Sequence, residues 1–380
     1  MAAMALVEVA VAATNTKKPA ASALFAAAMA LPLLSMTSAP AEAGSAPEQA
    51  TMGFKYLNYR DYQSDSKRMK IEEPLIWLDA PIMSDLELQA TIVTDTISGA
   101  SPVYMNTLAH GISDRRKSID VTLTKFFDQF SLGGGAAVSH ERDFLSRSAN
   151  IETRIDLNQK NTTLAAGISL EQDEVGSTID PSLHKNRNVH DLMLGVTQIL
   201  NPNALIQSNL ALSWGNGYYS DPYKAQDFRP NSRQQASWLV RYVQFSPSLN
   251  GALHGDYRYY INDWGTHAHT FDFSWYQNVG ESWKVIPELR YYVQNKADFY
   301  KGEYPPPAFS NQYYSSDARL SNFGAITTAL KVVKTFASGW QADVKYEYYR
   351  QSSALSWGNG SPGVEDFHAK ALTLGISRSF

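Results

Sequence analysis

A two-residue rhythm constrains this chain more than any other feature. Bulky apolar side chains, many of them aromatic, alternate with polar or charged ones over segments of about ten residues. In Thr270–Tyr276, Phe271, Phe273 and Trp275 alternate with Thr270, Asp272 and Ser274. In Trp340–Tyr349, Trp340, Ala342, Val344, Tyr346 and Tyr348 alternate with Gln341, Asp343, Lys345 and Glu347. Ala252–Asn262 repeats the pattern, with Leu253, Tyr257, Tyr259 and Ile261 against His254, Asp256, Arg258 and Tyr260. Successive side chains of a strand point to opposite faces, so each segment has one greasy and one wet face. A soluble sandwich alternates as well, but its outer face carries Lys, Glu and Thr. Trp and Tyr on the apolar face fit a lipid interface.

Composition narrows the field further. Trp, Tyr and Phe make up 12% of the 380 residues, and charged residues only 18%, below the usual quarter or so. There is no cysteine, which excludes disulfides, thiolate-bound zinc or iron–sulfur centres, thioether-linked haem, a Cys nucleophile and a lipoprotein anchor. A net charge of −4 supplies no basic field for nucleic acid, so none is expected as a partner. After Gly44 no uncharged apolar run is long enough to cross a bilayer as a helix, which takes about 20 residues.

The N-terminus reads as an address. Lys17-Lys18 precede an apolar stretch, Ala21–Leu34, and a polar region ending in Ala41-Glu42-Ala43. That order is the layout of a secretory signal peptide. The expected organisation is a signal peptide over 1–43 cleaved between Ala43 and Gly44, a short periplasmic segment over 44–52, and a barrel over 53–380. Met1–Thr16 precede the signal layout and fit an overlong start.

Connection lengths settle the class. Short links (Ala80–Ser84, Asn158–Asn161, Leu200–Asn203, Ser246–Asn250, Val279–Ser282) alternate with long ones (Thr96–Asp114, Gln172–Asn188, Gly215–Arg233, Asn295–Ser321, Gln351–Asp366). Short periplasmic turns alternating with long outer loops mark an outer-membrane barrel. Strands are expected near 53–62, 69–80, 84–95, 115–127, 129–142, 148–159, 162–172 and 189–200. They continue near 203–214, 234–246, 251–262, 267–278, 283–294, 322–334, 340–350 and 367–380. Pro287, inside one of them, implies a bulge or a later start. In hydrocarbon every backbone polar group must be paired within the protein, so a lipid-facing sheet has to close. The expected fold is therefore all-β, a single transmembrane antiparallel β-barrel of about 16 strands.

The last strand sets Leu372, Leu374 and Ile376 against Thr373, Gly375 and Ser377 and ends in Phe380. It resembles the signal read by the barrel-assembly machinery, an expected partner beside outer-membrane lipid. Arg378 departs from that signal, which normally has an apolar residue there. Ordered motifs from about Tyr56 to Phe380 carry a wider resemblance: DTISGASP (Asp95–Pro102), SDRR (Ser113–Arg116), SHERDF (Ser139–Phe144), DLNQKNTTL (Asp156–Leu164), GYYSDPYK (Gly217–Lys224) and RPNSR (Arg229–Arg233). They continue as YRYYINDWGTHAHTFD (Tyr257–Asp272), PELRYYVQNKADFY (Pro287–Tyr300) and SSDARLSNF (Ser315–Phe323). With these the chain resembles the outer-membrane β-barrel family called domain of unknown function 3570. The resemblance implies secretion and a membrane barrel, and transfers no activity or catalytic residue.

Alternating direction from a periplasmic start places the motif residues toward the outer end. These are Asp95, Asp114, Arg115, Glu141, Asp143, Asp173, Asp221, Arg229, Arg233, Asp263, His267, His269, Asp298, Asp317 and Arg319. Seven of the eight histidines fall in that half (His110, His140, His184, His190, His267, His269, His368), and only His254 does not. One reading is acids and arginines paired across the mouth to hold the loops down. A sharper one is a calcium site built from Asp95, Asp221, Asp263 and Asp317, since hard cations take clustered carboxylates. Apart from that, no cofactor is expected. His267 and His269 share a strand face and can form one edge of a metal site, although hydrogen bonding is the plainer role. The lumen is expected to be lined by Asp256, Arg258, Asp272, Glu288, Arg290, Asp343, Lys345 and Glu347, with both signs interleaved. Enzyme signals are weak: Ser139-His140-Glu141 has nucleophile and base types, but no G-x-S-x-G elbow occurs. Gly133-Gly134-Gly135 reads as close strand packing, not a phosphate loop.

The leading functional expectation is a porin-like channel or export conduit for a small polar solute or partner. A non-conducting binding or scaffold barrel with a ligand or metal site in its outer loops is the alternative, and an enzyme the third. A periplasmic partner stays open.

Overall fold

The computed structural model describes residues 46–63, 66–99, 112–224, 227–302, 313–361, 364 and 366–380. The expected signal peptide, its cleavage site and His110 lie outside the described residues. Sixteen strands make up the structure. The first four are β1 (Thr51–Gln63), β2 (Ser66–Met83), β3 (Leu86–Gly99) and β4 (Ile112–Phe126). Next come β5 (Phe130–His140), β6 (Phe144–Leu157), β7 (Thr162–Val175) and β8 (Lys185–Asn201). Then follow β9 (Ala204–Gly217), β10 (Ser232–Ser246), β11 (Gly251–Asn262) and β12 (His267–Val279). The last are β13 (Trp283–Gln294), β14 (Phe323–Thr335), β15 (Trp340–Ser352) and β16 (Phe367–Ser379). Each pairs antiparallel with its sequence neighbours, and β1 pairs with β16 from Thr51↔Ser379 to Gln63↔Phe367, closing the sheet. The sixteen strands expected from the rhythm are all present. The largest offsets include β6, which starts at Phe144 rather than 148. Strands of 11 to 18 residues exceed the roughly 9–11 that cross hydrocarbon when tilted, so their ends project beyond it.

Pro287 does not break its strand. It pairs with Leu330 of β14, and the β12–β13 register is the same at Ser274↔Glu288 as at Gln277↔Val285. Register shifts occur instead at Arg60/Tyr62, Pro81/Met83 and Ile199/Asn201.

The outer wall is apolar. Leu132, Ile151, Ile168, Leu194, Phe273, Leu289, Leu330 and Leu374 all stand exposed. A soluble protein does not leave so much contiguous apolar surface wet, whereas a lipid-facing wall requires it. At the short-turn end exposed Phe127, Phe130, Trp283, Phe336, Trp340 and Phe380 form an aromatic girdle. There Arg378 lies with its guanidinium carbon 5.5 Å from the centre of the Trp340 ring, and Lys334 Nζ lies 4.7 Å from that of Trp283. Arg378 thus sits where an amphipathic cation belongs, at the rim of the apolar belt.

Short turns are built from backbone conformations that small polar residues tolerate. In the β6–β7 turn, Asn158, Gln159 and Lys160 all have positive φ (52°, 56°, 67°), and Asn158 Nδ2 donates to Thr162 Oγ1 at 3.0 Å. The inner wall is not uniformly wet. Leu57, Tyr59, Ile71, Phe367, Ala369 and Ala371 form a buried apolar cluster on the inward face of β16, β1 and β2. Beside it Asp61, fully buried at the β1 bulge, accepts from Arg68 Nε (3.1 Å) and Nη2 (2.8 Å) and from the Met69 amide (2.8 Å).

Candidate functional site

The inward positions of β10 to β15 bring acids and bases opposite one another in cross-strand register. Arg241 lies across from Asp256, Asp256 from Asp272 and Asp272 from Arg290. Arg241 Nε donates to Asp256 at 2.7 Å and Arg290 Nε to Asp272 at 2.8 Å. Lys345 Nζ lies 2.6 Å from Glu288 and 3.1 Å from Glu347, and Lys331 Nζ 3.8 Å from Asp343. Arg258 stands half-buried on the same face, opposite Thr270. Of the residues expected in the lumen, Asp256, Asp272, Glu288, Arg290, Asp343, Lys345 and Glu347 are therefore seen in ion pairs there. Arg241 and Lys331, which complete the row, were not among those expected. Lys345 is only 2% exposed and Glu347 3%. A wide water-filled pore leaves such groups wet; here they are packed together, and burial demands the partners they have.

The opposite wall carries a second row nearer the long-loop end. Asp95 pairs with Arg116, its register partner on β4. Arg187 lies 2.6 Å from Asp173 and 4.0 Å from Glu171, and stacks over Tyr219 at 5.1 Å. Asp114, Glu141 and Asp143 converge, each offering one oxygen within 4.8 Å of the others. The Arg115 amide donates to Asp114 at 2.8 Å, while the Arg115 side chain points outward; Tyr223 donates to Asp143.

Above the lumen, the β9–β10 and β13–β14 connections fold into a cap. Phe228 and Tyr314 exchange backbone hydrogen bonds, both 2.8 Å, so the two loops pair like a strand fragment. Beneath them Trp264, Ala297, Phe299, Tyr300 and Leu320 form a buried apolar cluster with Tyr219 against it. Arg233 Nη2 donates to Tyr260 at 3.0 Å, and its guanidinium carbon lies 4.5 Å from the centre of the Trp264 ring. The charged centre is Asp317, fully buried. Arg229 Nη2 reaches it at 2.8 Å, Lys224 Nζ at 3.2 Å and Arg319 Nε at 2.8 Å. Asp227 takes a second bond from Arg229 at 2.8 Å, and Asp221 lies 3.9 Å from both Lys224 and Arg319. Among the described residues three carboxylates face three cations.

Burial pushes the Asp317 carboxyl up, but Arg319, Lys224 and Arg229 override it and hold it well below the usual range. For Asp221 burial wins over Lys224 and Arg319, and its pKa is raised. Burial likewise lowers the pKa of Lys224.

The remaining expected residues fall elsewhere. Asp263 is exposed on the β11–β12 turn, its amide bonded to Gln234. Asp298 packs against Gly265, which has φ +81° and no room for a Cβ. The four acids of the calcium reading do not gather: Asp221 and Asp317 share the cap, Asp95 is paired on β3, and Asp263 is outside. His267 and His269 share one strand face, as expected, but it is the outward one. There Tyr259 Oη contacts His267 Nδ1 at 2.7 Å, Tyr257 Oη contacts His269 Nδ1 at 2.9 Å, and the Trp357 ring lies tilted against His269 with centroids 4.6 Å apart. They belong to an aromatic girdle, away from the acids. Ser139 is buried inward and His140 exposed outward, so this serine and histidine cannot act as a nucleophile–base pair.

The fold is similar to a bacterial polysaccharide outer-membrane secretin, at 9% identity and TM-score 0.51, over 87% of this chain and 98% of that one. It is also similar to CdiB from Acinetobacter baumannii, at 9% identity and TM-score 0.50, over 87% of this chain and 60% of that one. At such identity these likenesses show the fold alone, an outer-membrane barrel. No curated protein matches the chain. A family profile, "Protein of unknown function (DUF3570)", matches residues 21–109, 106–183 and 176–366. This outer-membrane β-barrel chain belongs to the DUF3570 family.

Proposed function

We propose that the barrel is a gated conduit for a small polar solute, held shut at its outer mouth by the cap and along its lumen by paired charges. The observation that carries this reading is the Asp317 node, which ties residues 224 and 229 of one loop to 317 and 319 of another. Apolar side chains would fill a permanent plug at lower desolvation cost than buried ion pairs. Charges of both signs facing inward suit a wall that hydrates once the cap lifts. At the short-turn end an open recess of about 350 Å³, lined by Asn250, Asn278, Lys284 and Gln341 among others, supplies a polar vestibule. The Ser139/His140 arrangement gives no support to hydrolysis.

Planar-bilayer recording tests the reading. The wild-type barrel should conduct rarely, and Asp317→Asn should raise open probability sharply. A variant that loosens the cap, seen as faster loop proteolysis, yet stays electrically silent overturns the conduit. The barrel is then better read as a binding or scaffold protein.

A further inference from the structure

The outward face of β2, β1 and β16 breaks the rule that neighbouring strands avoid like charges. Arg60 has Lys70 as its register partner on β2 and Lys370 on β16. Three cations thus stand in one row across three strands, where directly opposed like charges repel. All three side chains point away from the lumen: Arg60 and Lys370 are exposed, and Lys70 is 40% exposed. Among the described residues the acid paired with this row is Glu72, 2.8 Å from Lys70 and also bonded by Tyr56 Oη at 2.9 Å. Among them one carboxylate stands against three cations, which leaves the row net positive.

Its height on the wall is informative. Lys370 is followed on the same face by Leu372, Leu374 and Ile376, all exposed. The row therefore begins two residues, roughly 7 Å, above the lipid-facing belt. On its other side Tyr62 and His368 stack with ring centres 5.0 Å apart, and Lys370 Nζ lies 5.7 Å from the Tyr62 ring. Cations, a phenol and an imidazole are thus aligned where lipid headgroups meet the long-loop end.

We propose that this row is a binding site for the phosphate groups of an anionic lipid, whose negative charge offsets the repulsion among Arg60, Lys70 and Lys370. Arg60 in the middle suits a bidentate grip on phosphate, with the lysines as flanking point charges. The site lies on the outer wall and is independent of the conduit reading.

The test uses the full barrel in neutral detergent, titrated with lipid A, with dephosphorylated lipid A and with inorganic phosphate, and followed by native mass spectrometry. Lipid A should be retained by the wild type and bound at least about tenfold more weakly by R60Q/K70Q/K370Q, as expected for lost charge-assisted bonds. Without lipid the triple variant should melt no lower than the wild type, because repulsion has been removed; lipid A should raise the melting temperature of the wild type only. Should the triple variant fail to fold, K370Q is read in its place and should show the same direction of loss. Equal retention of lipid A by wild type and variants, equal binding of the dephosphorylated lipid, or displacement by equimolar inorganic phosphate would each overturn the proposal.

Discussion

The two ends of the barrel are held by different kinds of interaction. At the short-turn end the chain reverses within a few residues. Asn158, Gln159, Lys160, Asn250, Ser338 and Gly280 adopt positive φ there, and what fixes the geometry lies next to it in sequence. At the long-loop end the geometry is fixed by charge across distance: Arg229 and Asp317, 88 positions apart, meet at 2.8 Å in a buried site. Local turns are robust because each depends on itself. The cap is cooperative, and removing one member strands the others. One end is thus held by local turn geometry and the other by charge pairing between distant segments.

The largest effect expected is at Asp317. Asp317→Asn leaves Arg229, Lys224 and Arg319 facing too little negative charge, and breaking a buried pair costs about 3–5 kcal/mol. Loop proteolysis at the long-loop end should accelerate by two orders of magnitude or so, while the barrel strands stay folded. A barrel that melts as a whole would break the contrast between the ends.

Acid should reproduce part of this. Asp317 is held well below its ordinary value, so its contribution is present above about pH 4 and declines as the pH falls below that value. Asp221, with a raised pKa, works in the opposite direction, since its charged form is the disfavoured one and acid relieves it. Hydrogen exchange between pH 6 and pH 3 should show amides of 218–224 and 227–231 losing protection before those of the turns.

A smaller effect is expected at the turns. Lys160→Gly removes a side chain from a left-handed position and should stabilise by less than about 1 kcal/mol, if it changes stability at all. A loss above that size would mean that the turn depends on the side chain. The least effect belongs to Arg147→Gln. Its pair with Glu174, though 2.7 Å long, is more than half exposed on both sides, and such pairs contribute about 0–1 kcal/mol. Salt should abolish even that in a chemical-denaturation series.

Legibility followed the same divide. The strands were readable because alternation is local, and Asp343, Lys345 and Glu347 faced inward as the rhythm of Trp340–Tyr349 required. Where rhythm blurred, sequence reasoning missed contacts. In β1, Phe54 and Tyr56 face out while Leu57 and Tyr59 face in, so the buried inner cluster carried no polar signature. Arg187 opposite Asp173 was recoverable, since both flank one loop and fall in register once β7 and β8 are aligned. Lys224 and Asp227 were not: their roles depend on how the cap folds onto the β13–β14 connection, which no periodicity encodes. The histidine pair was legible as well: spacing put His267 and His269 on one face, and Phe271 and Phe273, of the same parity, mark it as the outward one.

The pairing of β1 with β16 has a consequence for biogenesis. Thr51 Oγ1 and Ser379 Oγ lie 3.0 Å apart across 328 positions of chain, so no partial product can satisfy that edge. Until the final strand has emerged, β1 offers a full row of unmatched amides and carbonyls, which invites aberrant annealing to other chains. Such non-local closure is slow, so that edge stays unmatched until β16 reaches β1 and the two zip together.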